Sequence, residues 1–344
     1  MYFVSETMAY EPCIMSISTF FSSFAGMYVA QSFCHALIAS ILMDQALRAW
    51  KINDPLIRQR FRLTVVLFPI FSFPFYQAIN PDRGSVLFRL NALFDVNRWL
   101  NVELWGVISF GLLFLVVLAI TSLIFLFQEM IPILKHTLES RTMEHEGTRR
   151  ESDPFIENAS RALSIETPQV LIVEDEELVI FSTTGKNALI VVSTGLTETL
   201  TQDEMQAALA HEIAHISRGR RPMLLAVFFL RMILFFNPVA LVEFRRVVRN
   251  EEKICDDVAV SLTHRPDALA EALKKFLAVR ETPEPEAQPK PLFTPVPLEE
   301  YSYNIQLDGR IARLVQDPQR NTSGRWFLLI TVFLIVACIN YFVV

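Results

Sequence analysis

The strongest constraint on this chain is a run without any charged residue that spans residues 13–43. About 20 apolar residues cross the hydrocarbon core of a bilayer as a helix, so this run predicts a membrane helix with length to spare. Further apolar runs cover residues 63–80, 105–131 and 326–344. We therefore expect an α-helical membrane protein with four membrane helices.

The composition agrees with a membrane location and excludes other classes. Hydrophobic residues make up 52 % of the chain, above the ~45–50 % that is typical of soluble domains. The net charge of −6 offers no basic surface of the kind that binds nucleic acid. The four cysteines are scattered, which excludes a disulfide framework and a C-x-x-C zinc site.

The distribution of Lys and Arg predicts the orientation in the membrane. Residues 44–62 carry five of them and the N-terminal segment none, so the positive-inside rule places this first loop in the cytoplasm. Three crossings then place the chain after about residue 132 in the cytoplasm too, where more basic residues follow. The arginines of loop 81–104 oppose this assignment. Within that loop, the spacing of apolar residues over Val86–Trp105 predicts a helix lying flat at the membrane interface.

Residues 132–221 have the pattern of a soluble domain with a small sheet. A short helix is predicted over residues 154–164. Three strands follow it: Gln169–Val173, Leu178–Ser182 and Ala188–Ser193. The second and third are joined by Thr183–Asn187, a hairpin signal.

The motif H-E-x-x-H follows this sheet at His211–His215. Residues four apart lie on one face of a helix, so His211 and His215 can bind one metal ion. Glu212 stands beside the first histidine, where a carboxylate can act on a metal-bound water.

The helix that carries this motif has its own start and end signals. The sequence T-x-x-E at Thr201–Glu204 is typical of a capping box. Acidic residues in this first turn suit the positive end of the helix dipole. Gly219 predicts the end of the helix.

Two histidines do not suffice for a catalytic zinc, which usually has three protein ligands and an open position for water. The candidate source of the third ligand is the acidic stretch Asn250–Asp257. Glu252 and Asp256 are four residues apart and share one helix face. One of them can bind the metal while the other orients a ligand histidine.

These motifs resemble those of the integral-membrane gluzincin zinc metallopeptidases. The closest similarity is to the branch of β-lactam-sensing signal transducers and anti-repressor peptidases. That branch has H-E-x-x-H, an apolar stretch ending in Asn-Pro, and E-x-x-C-D, matched here by His211–His215, Asn237-Pro238 and Glu252–Asp256. The related CaaX prenyl proteases and heat-shock membrane proteases have Ala before the final Asp. The resemblance covers about residues 155–260, and more loosely 310–344.

The resemblance implies an α+β zincin-like metallopeptidase domain, a small sheet plus the H-E-x-x-H helix, within the membrane protein. It selects Glu252 rather than Glu251 as the third ligand. Together with His211 and His215, Glu252 would bind one zinc ion per chain. It makes Asp256 the residue that orients a ligand histidine. Cys255 is expected to be a buried structural thiol.

The mechanism implied by this ligand set is hydrolysis of a peptide bond by zinc-activated water. Glu212 would take the proton of the water and then deliver a proton to the leaving amine. Three residues are candidates for the oxyanion donor: Tyr301, Tyr303 and Arg310. In related peptidases the substrate lies extended along the edge strand before the active helix. Residues Ala188–Ser193 match that place, and pairing there would be β-augmentation.

Residues 222–244 would be about 34 Å long as one helix, enough to cross a bilayer once. A single crossing would separate the two histidines from Glu252. We therefore expect the segment to return to the same face, as a broken hairpin entering the membrane at Asn237-Pro238 or as a buried segment. Arg231, in its middle, then requires a carboxylate or a water-filled cleft.

These observations predict a linear organisation of the chain. Its parts are a membrane region over residues 1–131, a cytoplasmic zinc peptidase domain over 132–280, a Pro-rich loop over 281–300, a return segment over 301–325 and a membrane helix over 326–344. The expected location is the inner membrane of a bacterium, with the active site facing the cytoplasm.

Three functions fit this organisation. The first is a membrane-embedded endopeptidase that cuts a membrane-associated protein or a regulator such as a repressor. The second is a signal-transducing receptor whose protease is the output. A β-lactam sensor is disfavoured, since the known sensors carry a large extracellular domain after the last membrane helix and this sequence ends at Val344. The third is a non-catalytic zinc-binding scaffold, against which the intact Glu212 argues.

Overall fold

The protein is mostly helical, with membrane-length helices and one small four-stranded sheet. The computed structural model describes residues 17–104, 108–131, 148–150, 153–183, 188–281, 307–316 and 326–344. The predicted Pro-rich loop, from residue 282 onward, and the oxyanion candidates Tyr301 and Tyr303 lie outside the described residues.

The first uncharged run forms two helices rather than one. Helix α1 (Ile17–Ser22) is separated from α2 (Phe24–Ala49) by Ser23, whose hydroxyl accepts the Gly26 N–H and caps α2. Helix α2 continues past residue 43, because a charged residue ends the apolar run without ending the backbone hydrogen bonding.

Helix α3 (Pro55–Ile79) begins well before the predicted residue 63. Asp54 caps it by accepting the Ile57 N–H, and Pro55 occupies the first helical position, where a proline needs no N–H donor. The expected loop over residues 44–62 is therefore wrong in extent. Only a short turn separates α2 from α3, and most of the basic residues of the segment 44–62 lie on these two helices.

The continuous helix expected over Val86–Trp105 is also wrong. The chain forms two five-residue helices and a short hairpin: α4 (Val86–Leu90), α5 (Val96–Leu100), β1 (Glu103–Leu104) and β2 (Ile108–Ser109). Between the helices, the Leu93 N–H donates to the Phe342 carbonyl, and Asp95 caps α5. Pairing with the distant C-terminal segment overrides the local helical pattern.

Three of the described helices are long and apolar enough to cross a membrane: α2, α3 and Phe110–Gln128. The third consists of α6 (Phe110–Phe125), continued as a π-helical turn over Leu126–Met130. The apolar helix Trp326–Tyr341 has 16 residues. At about 24 Å it is shorter than the ~30 Å hydrocarbon core.

The three strands predicted after residue 168 are confirmed, one with the same bounds and two shifted by one or two residues, and a further strand over Thr148–Arg150 was not predicted. After β3 (Thr148–Arg150) and α7 (Pro154–Ala162) come β4 (Gln169–Val173), β5 (Ile180–Thr183) and β6 (Leu189–Ser193). The strand order is β3-β4-β6-β5, with β6 parallel to β4 and antiparallel to β5. The antiparallel pairing expected of the second and third strands is confirmed, while residues 184–187 of the predicted turn lie outside the described residues.

Strand β6 is interior, so the expectation that Ala188–Ser193 forms the edge of the sheet is wrong. Its residues Ile190, Val191 and Val192 are at most 2 % exposed. A continuous apolar run of this kind is typical of a strand whose two faces are both buried. The two edges of the described sheet are β3 and β5, and β5 pairs only with β6 among the strands that the structure describes.

Helix α8 (Thr194–Thr199) leads from the sheet into α9 (Gln202–Ser217), which carries the H-E-x-x-H motif. The capping box of Thr201 and Glu204 is confirmed. The helix ends at Ser217, and Gly219 follows in the left-handed region with φ 60°. Leu209 and Ile213 of α9 pack under the sheet against Ile190 and Val192, which fixes the motif below β5 and β6.

The chain turns back after the motif. Helix α10 (Arg220–Ile233) ends before a turn at residues 234–237, and α11 (Pro238–Thr263) begins there. The buried side chain of Asn237 caps α11 by accepting the Val239 N–H, and it also donates to the Ser32 carbonyl of α2.

Buried Arg231 lies at the end of α10. Its Nη1 donates to the Leu234 carbonyl at 2.8 Å, and its guanidinium lies 4.8 Å from the centre of the Phe125 ring. A helix-end carbonyl and an aromatic face thus contact this cation, and the carboxylate or water-filled cleft that the sequence suggests for it stays a prediction.

Two helices after α11 close the domain over α9. Helix α12 (Pro266–Glu281) is separated from α11 by His264, which has φ 56°, so residues 250–280 form parts of two helices. Helix α13 (Leu307–Val315) packs on α12 through Leu307, Leu314 and Leu273. This contact brings Arg310 of α13 to the motif helix.

Candidate metal centre

Three side chains from two helices converge on one point. His211 and His215 of α9 and Glu252 of α11 are each at most 3 % exposed. The two Nε2 atoms are 3.0 Å apart. Glu252 Oε2 lies 3.5 Å from His211 Nε2 and 3.8 Å from His215 Nε2. These are the three residues that the sequence predicts to bind one ion.

The spacing of these atoms fits a zinc ion. Zinc binds nitrogen and oxygen at about 2.0–2.2 Å in tetrahedral geometry, which places any two ligand atoms roughly 3.3–3.5 Å apart. The three observed separations, from 3.0 to 3.8 Å, bracket this value. Two imidazole nitrogens and one carboxylate oxygen are also a donor set that zinc prefers.

The Nδ1 atom of each imidazole, which points away from the metal position, contacts another side chain. His211 Nδ1 lies 3.1 Å from Asp256 Oδ1, and His215 Nδ1 lies 3.1 Å from Cys255 Sγ. Partners at Nδ1 fix the ring orientation and direct Nε2 to the metal position. Cys255 is fully buried, as expected, but its contact with a ligand histidine was missed. Its position next to Asp256 on α11 was the available signal.

Arg310 is the one oxyanion candidate that the described residues include, and it lies at the centre of the site. Its Nε donates to Asp256 Oδ2 at 2.9 Å and its Nη2 to Asp256 Oδ1 at 2.6 Å. Its Nη1 lies 3.1 Å from Glu252 Oε2. The guanidinium therefore fixes both carboxylates of the Glu252–Asp256 motif, a contact that sequence spacing could not reveal across 54 residues.

Charge governs the protonation of this centre. Burial alone would raise the pKa of Asp256, but the charge of Arg310 and the hydrogen bond with His211 hold it well below its usual range. Burial would lower the pKa of His211, but hydrogen bonds with Asp256 and Glu252 outweigh it and raise the pKa to about 9. Without a metal ion, His211 therefore carries a proton at neutral pH.

Glu251 is buried beside Glu252 but points to other partners. Arg218, just after α9, donates to it through Nε at 2.7 Å and Nη2 at 2.9 Å. Gln59 of α3 donates to its Oε2 at 2.7 Å. An ion pair with Arg218 and a hydrogen bond with Gln59 thus hold the Glu251 carboxylate, while Glu252 faces the histidines.

Glu212 lies in the same buried region, 2 % exposed, one residue after His211 on α9. Its Oε2 accepts a hydrogen bond of 2.7 Å from the Ser182 hydroxyl of β5. Ser182 was predicted as a strand residue only. The arrangement combines three possible metal ligands, a buried carboxylate and a sheet edge.

The sequence is similar to those of known proteases. The chain matches the family model described as BlaR1 peptidase M56 over residues 91–300, more than half of its length. Protease HtpX of Haemophilus ducreyi is 32 % identical over 135 residues, which cover 38 % of this chain and 45 % of that protein. Protease HtpX of Shewanella sp. (strain W3-18-1) is 36 % identical over 80 residues, covering 23 % of this chain and 28 % of that protein.

These alignments span less than half of either relative. The family match covers the H-E-x-x-H helix and the Glu252–Asp256 motif, and it confirms the resemblance drawn from those residues. With three membrane-length helices, the protein is an integral membrane protein. The chain belongs to the BlaR1 peptidase M56 family.

Proposed function

We propose that this protein is a membrane-embedded zinc endopeptidase in which His211, His215 and Glu252 hold one zinc ion. The observation that carries this proposal is the convergence of their three ligand atoms, all buried and within 4.8 Å of one another. The adjacent carboxylate of Glu212 completes the groups that peptide hydrolysis requires.

A zinc ion bound there would polarise the attacking water and the peptide carbonyl. Glu212 takes the proton of this water as it attacks, and then delivers a proton to the leaving amine. Asp256 and Cys255 hold the two imidazoles in orientation through their Nδ1 atoms. Arg310 acts by positioning Asp256 and Glu252, since its guanidinium already bonds the former through two nitrogens.

The substrate is an extended peptide that adds to the edge strand β5 by β-augmentation. The Ser193 N–H donates to the Val179 carbonyl, so Val179 belongs to a hydrogen-bonded pair of the β5–β6 ladder. Such pairs alternate along an antiparallel ladder. The backbone groups of Ile180 and Ser182 therefore face away from β6, toward the open edge of the described sheet.

The peptidase domain, residues 132–280, would face the cytoplasm at the inner membrane of a bacterium. A membrane-associated or regulatory protein is the expected substrate. The turn between α10 and α11 would be membrane-associated, which is supported by the exposed apolar side chains of Phe229, Met232 and Phe235 around it. The helix Trp326–Tyr341 would be the last membrane helix despite its length. A reporter fused near residue 145 that reports the outside would contradict this topology.

A second candidate is a signal-transducing receptor whose output is the protease. The contacts of α11 with two membrane helices favour it. Ser40 of α2 donates to Glu243 Oε1 at 2.7 Å, and Gln59 of α3 donates to Glu251. A movement of α2 or α3 would thus reach the helix that carries Glu252.

The test combines metal content and cleavage of labelled casein, for wild type and Glu212→Gln. Both proteins should contain about one zinc per chain. Cleavage should fall roughly 10²- to 10⁴-fold in the variant, because the general base is lost. Proteolysis that persists in Glu212→Gln would contradict the mechanism. Zinc retention without cleavage of any candidate protein would favour the non-catalytic scaffold.

A further inference from the structure

A hydrogen bond joins the edge strand β5 to the proposed base Glu212. Ser182 Oγ of β5 donates to Glu212 Oε2 of α9 at 2.7 Å. The two residues are 8 % and 2 % exposed, so water does not replace this contact freely. A hydrogen bond to a buried charged group is stronger than one between neutral groups.

The register of β5 gives Ser182 two roles at once. It pairs with Ile190 of β6, between Phe181 and Thr183. By the alternation of the ladder, its own N–H and carbonyl face the open edge. Its side chain meanwhile reaches α9. The same residue therefore touches the proposed base and stands on the line where an extended peptide would pair.

The chemistry of a hydroxyl suits this position. A carboxylate that receives a proton from water must keep a fixed orientation toward that water. A hydroxyl can donate to the carboxylate, and it keeps both donor and acceptor capacity when the carboxylate gains a proton. It can therefore hold Glu212 through both protonation states without adding a charge.

We propose that Ser182 is a positioning residue that orients Glu212 and couples substrate pairing at β5 to the placement of the base. This inference rests on the proposed function. It predicts that removal of the hydroxyl impairs turnover rather than metal binding or peptide pairing, because the zinc ligands and the strand backbone remain in place.

The test compares Ser182→Ala with Ser182→Thr and with the matched deletion Ser217→Ala. Ser217 lies on the same helix as Glu212, and its hydroxyl donates only to the Ala214 carbonyl among the bonds described for it. The readouts are zinc per chain, kcat and KM on a fluorogenic peptide cut by the wild type, and the affinity of the zinc-loaded protein for acetohydroxamate. A hydroxamate binds zinc and shares a proton with the base, so it reports the orientation of Glu212 independently of turnover.

Ser182→Ala should retain about one zinc per chain and nearly unchanged KM. Its kcat should fall roughly ten- to hundred-fold, and its affinity for acetohydroxamate should fall in the same direction. Ser182→Thr should restore both, while Ser217→Ala should resemble the wild type. If Ser182→Ala does not fold, Ser182→Val against Ser182→Thr makes the same comparison, since the two differ only in a methyl for a hydroxyl.

Equal kcat and hydroxamate affinity in Ser182→Ala and Ser217→Ala would overturn the positioning role while leaving the proposed function intact. Loss of zinc in Ser182→Ala would overturn it too, because the residue would then be structural. A wild-type protein that binds no zinc would instead contradict the proposed function itself.

Discussion

Helix α11 contributes residues to two clusters of charged side chains, and the two clusters differ in their balance of positive and negative groups. The membrane-side cluster consists of Asp44, Arg62, Glu243 and Arg246, in which two carboxylates meet two guanidiniums. Among the residues that the structure describes, the metal centre holds three carboxylates, Glu212, Glu252 and Asp256, against the guanidinium of Arg310.

The comparison shows what distinguishes a structural ion cluster from a metal site on the same helix. Buried charges are stable only when they are compensated. Arginines compensate the membrane-side cluster from within. When both histidines are neutral, as metal binding requires, the described groups of the metal centre lack two positive charges, which one divalent cation would supply, and the nitrogen and oxygen ligand atoms already converge.

The largest expected effect is the loss of metal in Glu252→Gln. An amide removes the anionic ligand, so zinc should fall from about one per chain to nearly none, as measured by inductively coupled plasma mass spectrometry. Glu251→Gln is the matched control, because Glu251 bonds Arg218 and Gln59 instead. It should keep the zinc. Equal metal loss in both variants would contradict the assignment of Glu252.

Arg62→Met should break the membrane-side cluster without affecting the metal. It leaves the fully buried Glu243 without one of its guanidiniums. The free energy of unfolding should fall by about 3 kcal/mol, as for other broken buried pairs. Denaturant titration in detergent measures this change. Unchanged stability, or loss of zinc, would show that the two clusters are not independent.

Asp256→Asn and Cys255→Ala should separate the contributions to zinc affinity of the two side chains that contact the imidazole Nδ1 atoms. Substitution of an outer partner typically costs ten- to hundred-fold in metal affinity. Asp256→Asn should lie in this range, because it removes a carboxylate from His211 Nδ1. Cys255→Ala should cost less, since it removes a neutral thiol from His215 Nδ1. Zinc titration against a competing chelator measures both, with Cys34→Ala as the control.

Thr201→Ala should have the smallest effect and leaves both clusters intact. Loss of the N-cap hydroxyl of α9 should lower the free energy of unfolding by about 1 kcal/mol. Burial raises the pKa of the partner Glu204, but hydrogen bonds with Lys275 and Thr201 outweigh it and lower the pKa overall. The stabilisation by Glu204 is thus present above its unfolded pKa and is lost as the pH falls through its lower folded pKa. Unfolding curves near pH 7 and at acid pH test both statements.

The sequence predicted the motif helix well because its signals are local. The capping box at Thr201 and Glu204 lies within four residues, and the histidine spacing lies within one turn. The strand Gln169–Val173 has the bounds that the sequence predicts, because the pattern of apolar residues and the length of the run are local properties of the sequence. The proposed ligands likewise came from short motifs.

The features that were wrong or missed depend on distant contacts. Whether β6 lies inside or at the edge of the sheet is decided by its pairing with β4, which no local pattern encodes. The break between α4 and α5 depends on pairing with the C-terminal segment. The contacts of Arg310 with Asp256, and of Ser182 with Glu212, join elements far apart in the chain.

X-ray absorption spectroscopy at the zinc edge tests the central claim most directly. For the purified wild-type protein we predict one zinc per chain with only nitrogen and oxygen ligands at about 2.0–2.2 Å, from His211, His215 and Glu252. The variant His215→Ala should lose the zinc, so the zinc–nitrogen contribution to the spectrum should disappear with it. A zinc–sulfur distance of about 2.3 Å would make Cys255 a ligand, and it would contradict the account, as would a protein that binds no zinc.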